Sequence, residues 1–204
     1  MITIIDYGLG NIKAFVNVYE RLNISCKVAM NSNDLKDASK LILPGVGSFD
    51  HAMDRLLQSG MKETIEELVL NHKIPILGIC VGMQILAKSS EEGNMPGLGW
   101  IDAVVKKFDT SLIPQQTHLP HMGWNSVSLT QKNDLLRGLE ANSRFYFLHS
   151  YYFSCNNTQD IISESEYGMK FTCAVNCGNI YGVQFHPEKS HHNGITVLKN
   201  FGNL

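Results

Sequence analysis

The sequence predicts an α/β protein: a mostly parallel sheet with helices on both faces, plus a smaller antiparallel strand region in the second half. Three observations lead there. Short apolar runs alternate with amphipathic stretches through the first half, which is the rhythm of strand, helix, strand. The hydrophobic period then shortens to two, as in antiparallel strands with one wet face. Near the end Ile180 to Phe185 is an apolar run of the kind that returns to a main sheet.

Taken in order, Ile2 to Ile5 reads as a buried strand. Asn11 to Leu22 carries Ile12, Phe15, Val16 and Tyr19 on one helical face. Cys26 to Met30 and Lys40 to Leu43 read as further strands, the latter stopped by Pro44 and Gly45. His51 to His72 has helical periodicity, broken near Ser59-Gly60. Ile74 to Ile79 is an apolar run, followed by a glycine-flanked turn and a helical stretch from Met83 to Lys88. Beyond it, Asp102 to Phe108, Trp124 to Leu129, Arg144 to Leu148 and Tyr151 to Cys155 alternate as short strands. Ser190 to Leu204 reads as a closing helix, N-capped by Ser190, with Ile195, Leu198 and Phe201 as its buried stripe. Ile113 to Leu119, containing Gln115, Gln116 and Thr117, reads as a surface loop. The layout is flavodoxin-like, and with no linker or repeat in view residues 1–204 are expected to form one domain.

Composition narrows the function. A hydrophobic content of 44% and a charged content of 18% describe a globular chain, and the net charge of −2 comes without any basic stripe, so no nucleic-acid partner is expected. The first strand reaches Asp6 after a short apolar run and has no basic leader, so it does not resemble a signal peptide. No run approaches a membrane span. A cytoplasmic location and no membrane partner are therefore expected. The cysteines at 26, 80, 155, 173 and 177 are too irregular for a disulfide framework, which points to reduced thiols. No histidine pair has metal-ligand spacing beside a third ligand, and neither glycine-rich stretch (Gly8 to Lys13, Gly45 to Asp50) completes a nucleotide fingerprint. No metal or cofactor is expected.

The chemistry concentrates in two strings. Gly78-Ile79-Cys80-Val81-Gly82 is a cysteine version of the G-x-S-x-G elbow, in which a strand running straight into a helix lifts its nucleophile to the sheet's carboxyl edge. A helix N-terminus favours thiolate there, and the Val81 N–H would face an oxyanion beside the sulfur. The pentapeptide alone fits a buried packing cysteine equally well. The second string is Gln184-Phe185-His186-Pro187-Glu188-Lys189-Ser190. A nucleophilic thiol needs a base, and the base needs a third group to fix its tautomer. In extended chain His186 and Glu188 share a side, and Pro187 biases His186 away from helix. Pro44-Gly45-Val46-Gly47 could supply a second oxyanion N–H from Gly47, although an ordinary strand-to-helix turn accounts for it as well. His51, His72, His118, His191 and His192 read as surface residues; His121 and His149 flank aromatic segments at the edge of a pocket.

Together these strings resemble the class I (triad-type) glutamine amidotransferases, which carry a P-G-x-G corner, a Cys elbow and an H-x-E in this order. The match extends through Asp6 to Asn11, Leu43 to Phe49, Gly78 to Gln84, Pro120 to Asn125, Phe147 to Tyr151 and Gln184 to Ser190, so it spans nearly the whole chain. Within the family it is closest to the glutaminase subunits of imidazole glycerol phosphate synthases. The resemblance implies Cys80 as nucleophile, His186 as base and acid, and Glu188 as its orienter, with Gly47 and Val81 at the oxyanion. It implies Gln84, Glu92, Ser150 and Tyr151 as contacts for glutamine, and Asn11, Trp124 and Lys189 on the face towards a (β/α)8 cyclase that receives the ammonia. A paralogous synthase, making an amidino group on a surface glycan sugar, is the alternative partner. Val81 in place of the family's usual Leu, the 113–119 stretch and the His191-His192 pair depart from the pattern without removing a catalytic group.

Overall fold

The computed structural model describes residues 1–114 and 118–204, so Gln115, Gln116 and Thr117 of the expected surface loop lie outside the described residues. The first half is built as expected. β1 (Ile2–Ile5), β2 (Cys26–Ala29), β3 (Lys40–Gly45) and β4 (Ile76–Cys80) are parallel, with α1 (Ile12–Arg21), α2 (Phe49–Gln58) and α3 (Lys62–Glu66) between them. Phe15 and Tyr19 give α1 its buried face, and each such side chain contributes about 1.5–3 kcal/mol by leaving water. Ile12 and Val16 pack at the margin of the same core.

β3 does not stop before Pro44. It runs on through Gly45, pairing Pro44 with Ile79 and Gly45 with Cys80. Pairing with β1 ends at Ile42, so Pro44 sits past the point where its missing N–H would be needed on that side. The helix read from Met83 to Lys88 is also revised. α4 (Val81–Gln84) is a single turn that starts directly at the elbow, and the chain then peels away into β5 (Ser89–Ser90). Lys88 N–H donates to the Ala103 carbonyl instead of continuing a helix.

β6 (Ala103–Lys107) follows, then β7 (His121–Ser126), β8 (Ser128–Leu129), β9 (Arg144–His149) and β10 (Tyr151–Cys155). β11 (Ile161–Tyr167) and β12 (Met169–Cys177) form an antiparallel hairpin that the sequence reading did not anticipate. β13 (Ile180–Val183) returns parallel to β4, as expected. The large sheet therefore runs β2-β1-β3-β4-β13-β12-β10-β6-β5, with β11 and β8 attached at β12, while β7 and β9 pair separately. α5 (His191–Gly202) closes the chain. Its buried stripe is Gly194, Val197, Leu198 and Phe201; Ile195 is on the exposed side, one position out of phase with the core. Ser190 precedes α5 but its side chain does not cap it, because the hydroxyl is engaged elsewhere. No helix among the described residues is long and apolar enough to cross a membrane.

Candidate active site

Cys80 ends β4 at φ 56 and ψ −114, a backbone region that side chains rarely occupy and that costs on the order of 1–3 kcal/mol. Close packing holds it there. A Cβ on Gly82 would collide with the Leu43 carbonyl, so only glycine lets α4 sit against the end of β3. Strand β13 runs beside β4, pairing Val183 with Ile79, and delivers residues 184–186 next to the elbow.

His186 is extended (φ −98, ψ 95), and Pro187 opens the short turn Pro187–Lys189. Its backbone is pinned from both sides. The His186 N–H donates to the Tyr146 carbonyl at 2.9 Å, and Ser190 Oγ donates to the His186 carbonyl at 2.6 Å while accepting from the Tyr146 N–H at 3.0 Å. This is the work of Ser190 that displaces its capping role. Glu188 Oε1 lies 2.9 Å from His186 Nδ1, with the two side chains 3% and 6% exposed. The other carboxylate oxygen, Oε2, is buried without a hydrogen-bond partner among the described residues. Burial by itself would depress the imidazole; hydrogen bonds to the Cys80 sulfur and to Glu188 outweigh it and raise His186 from 6.5 to about 10. A proton on His186 is thus stabilised between a sulfur and a carboxylate. Among the other cysteines, burial pushes the Cys155 and Cys173 thiols up to about 12, so neither suits nucleophilic chemistry near neutrality.

A cavity of about 260 Å³ opens over the elbow. Gly47, Cys80, Val81, Gln84, Glu92, Ser150, Tyr151 and His186 all line it, so the residues expected at the nucleophile, oxyanion and substrate positions come together. Gly47 has φ +88, a conformation in which glycine is unstrained. Gln84 Nε2 donates to the Tyr151 carbonyl at 3.1 Å and to Gln184 Oε1 at 3.0 Å. Glu92 accepts the Phe49 N–H at 2.8 Å, so one of its oxygens holds the start of α2.

The residues expected at a partner face are placed differently from one another. Lys189 is exposed, lines the cavity and carries its Nζ 5.6 Å from the centre of the Tyr146 ring. Trp124 belongs to strand β7, in keeping with the strand read from Trp124 onward; it is 39% exposed and stacks on His191 at 5.1 Å with 5° between planes. His191 and His72 are exposed, as expected of surface residues, and each has a neighbour: the Trp124 ring for His191, and Glu67 at 3.2 Å for His72. Asn11 is exposed and caps α1 through Ala14 N–H.

Several site residues were not singled out from sequence. Gln184 Nε2 approaches the Cys80 sulfur at 3.8 Å, and the Cys80 thiol points to the Leu148 carbonyl at 3.8 Å; His149, by contrast, was expected at the edge of a pocket and does line the cavity. Tyr7, fully buried, donates to the Pro44 carbonyl at 2.7 Å and so braces the corner that leads to Gly47. Gln184 and Tyr7 sit inside the strings already quoted, and adjacency to the motif was their only signal. Among the described residues no group of three His, Cys, Asp or Glu side chains is arranged to hold a metal ion.

A cysteine on a strained strand–helix elbow, beside a histidine held by a buried carboxylate, is what acyl transfer from an amide to sulfur requires. Residues 3–203 match the family model of glutamine amidotransferase class-I, and the chain belongs to that family. It is 54% identical over 204 residues, covering 100% of both chains, to the imidazole glycerol phosphate synthase subunit HisH of Leptospira borgpetersenii. It is likewise 54% identical, again with 100% coverage of both, to the protein of the same name from Bdellovibrio bacteriovorus. Among solved structures, a glutamine amidotransferase superimposes with TM-score 0.76 at 17% identity, covering 100% of this chain and 99% of that one. At that identity the likeness bears on the fold.

Proposed function

We propose that residues 1–204 act as one glutaminase domain, the ammonia-producing subunit of a cytoplasmic imidazole glycerol phosphate synthase, docked on a (β/α)8 cyclase in histidine biosynthesis. What supports this most is that Cys80 and His186 line one cavity while Glu188, outside it, holds His186 Nδ1, in a chain that aligns end to end with HisH subunits.

In the proposed reaction the Cys80 thiolate attacks the side-chain amide carbon of glutamine. The oxyanion is held by N–H groups at Gly47 and Val81. As the tetrahedral adduct collapses, the C–N bond breaks and protonated His186 gives its proton to the leaving nitrogen, releasing ammonia and a glutamyl thioester. His186, now neutral and oriented by Glu188, takes a proton from water as it attacks the thioester. Breaking the C–S bond yields glutamate and restores the thiolate–imidazolium pair. Gln84, Glu92, Ser150 and Tyr151 would hold the amino-acid end of glutamine. Ammonia reaching bulk water would be protonated and lose its nucleophilicity, which is the physical reason for a docked partner and a closed passage. Asn11, Trp124 and Lys189 would face that partner, and the Gly45-Val46-Gly47 corner can turn its N–H groups on docking at little steric cost.

The test is reconstitution with a purified cyclase of this pathway. Glutamine hydrolysis that stays low in the isolated protein, rises with ligand-loaded cyclase and yields imidazole product in step with glutamate supports the assignment. Equal hydrolysis with and without the cyclase would overturn it.

A further inference from the structure

Behind the cavity, six residues form one unbroken chain of hydrogen bonds that ends on the Cys80 sulfur. Asn125 Nδ2 lies 3.2 Å from His121 Nε2, His121 Nδ1 lies 3.1 Å from His149 Nε2, and His149 Nδ1 lies 2.8 Å from the Tyr151 carbonyl. The same carbonyl accepts from Gln84 at 3.1 Å; Gln84 also donates to Gln184 at 3.0 Å, and Gln184 reaches the sulfur at 3.8 Å.

The direction of every link is determined by its ends. Asn125 is fixed as a donor, because the same Nδ2 donates to the Glu166 carbonyl at 2.7 Å while its Oδ1 accepts the Ser126 N–H at 2.8 Å. His121 Nε2 must then accept, which leaves its proton on Nδ1, directed at His149. At the far end a carbonyl can only accept, so His149 carries its proton on Nδ1 and accepts at Nε2. The two requirements agree. A second proton on either ring would set N–H against N–H at the bonds these rings make among the described residues. Both rings are buried, at 4% and 6% exposure, and His121 stacks on Tyr167 at 4.1 Å between centroids. Burial lowers His121 to about 4, and burial together with the neighbouring His121 lowers His149 to about 3.

We propose that His121 and His149 are positioning residues: two neutral imidazoles, each in its Nδ1–H tautomer, that hold the Tyr151 carbonyl and through it the orientation of the Gln84 carboxamide. With both Gln84 N–H bonds engaged, the hydrogen-bonding atom this side chain keeps for a ligand is its oxygen. Gln84 is thereby set as an acceptor, suited to the ammonium of an amino-acid substrate and unsuited to its carboxylate. The role of the ligand rests on the glutaminase reading; the tautomers do not.

Two experiments separate these. Long-range nitrogen–proton NMR of the whole protein should show both rings neutral and Nδ1-protonated between about pH 6 and 8. Asn125→Asp, which replaces the donor by an acceptor, should bring a proton to His121 Nε2. An Nε2–H tautomer in the unaltered protein, a ring titrating in that range, or no change in Asn125→Asp overturns the proposal whether or not the protein hydrolyses glutamine. With the cyclase present, His149→Phe should raise KM for glutamine about tenfold, the equivalent of one lost hydrogen bond, with little change in kcat. His149→Asn, whose amide nitrogen replaces Nδ1, should restore most of that loss. Equal impairment in both variants, or an unchanged KM in His149→Phe, overturns the positioning role. Absence of all hydrolysis in the unaltered protein would instead refute the glutaminase reading and leave the NMR result to decide the tautomers.

Discussion

Glu188→Gln isolates the carboxylate's contribution to the proposed chemistry. The native bond to His186 is 2.9 Å long and its two side chains are almost wholly buried, so water screens it little. A hydrogen bond to a charged partner contributes about 1.5–3 kcal/mol, which converts to roughly a 10- to 150-fold loss where the imidazolium must be stabilised. The second oxygen, which has no hydrogen-bond partner among the described residues, adds to the cost. If the Gln oxygen keeps the bond to Nδ1, its NH2 group is buried where Oε2 now sits and is left unsatisfied. If the amide turns over, it presents a donor to Nδ1 and forces His186 into the other tautomer, which removes the base from the sulfur. The expected outcome is a fall in kcat of about a hundredfold with KM for glutamine within a few-fold of the original, since Glu188 does not line the cavity. The assay is steady-state glutaminase turnover in the presence of the cyclase, alongside the thermal midpoint. A kcat within about threefold of the unaltered protein, at unchanged midpoint, would refute the reasoning.

Gly82→Ala should lower the thermal midpoint by about 5 °C or more, because its Cβ meets the Leu43 backbone; an unchanged midpoint would mean the elbow is not held by that packing. His186 is raised from 6.5 to about 10 in the folded protein, so its contribution to stability is fully present below 6.5 and is lost as pH rises through about 10. Urea midpoints should accordingly show the gap between the unaltered protein and Glu188→Gln closing over that interval; a gap independent of pH would contradict the pairing. Trp124→Ala removes a half-exposed ring stacked on His191, and an aromatic at an interface centre is worth roughly 2 kcal/mol or more. It should raise the ratio of glutamine consumed to imidazole product formed while leaving the subunit's midpoint nearly unchanged, and an unaltered ratio with unaltered cyclase affinity would place Trp124 off the partner face.

The parallel half of the fold and the two strings that meet at the candidate site could be read from sequence because they depend on local constraints. Apolar runs of strand length, glycines around Cys80 and the His-Pro-Glu spacing each fix their geometry within a few residues. The β11–β12 hairpin escaped because its polarity is misleading. Ser163 and Ser165 face the interior, satisfied by Cys173 at 3.1 Å and by the Ser126 carbonyl at 2.8 Å, while 171–175 of β12 is buried without alternation. Pro44 misled for a different reason: a proline ends a strand only where its neighbour still needs the missing donor, which is a property of the sheet and not of the dipeptide. Ile195 fell off the predicted stripe because the buried face runs 194, 197, 198 and 201, and its first position is a glycine, packed against the Pro187 backbone, that no apolar pattern marks. His121 and His149 read only as flanking a pocket; that they bond to one another was not legible, since it depends on contacts between β7, β9 and the start of β10 that no local pattern encodes.

The central claim is that Cys80 makes the ammonia and a separate subunit uses it. Cys80→Ala, assembled with the cyclase, is expected to abolish imidazole product formation from glutamine while leaving formation from supplied ammonium salt intact. Turnover of glutamine that persists in Cys80→Ala, or loss of the ammonium-dependent reaction from an assembled complex, would contradict it.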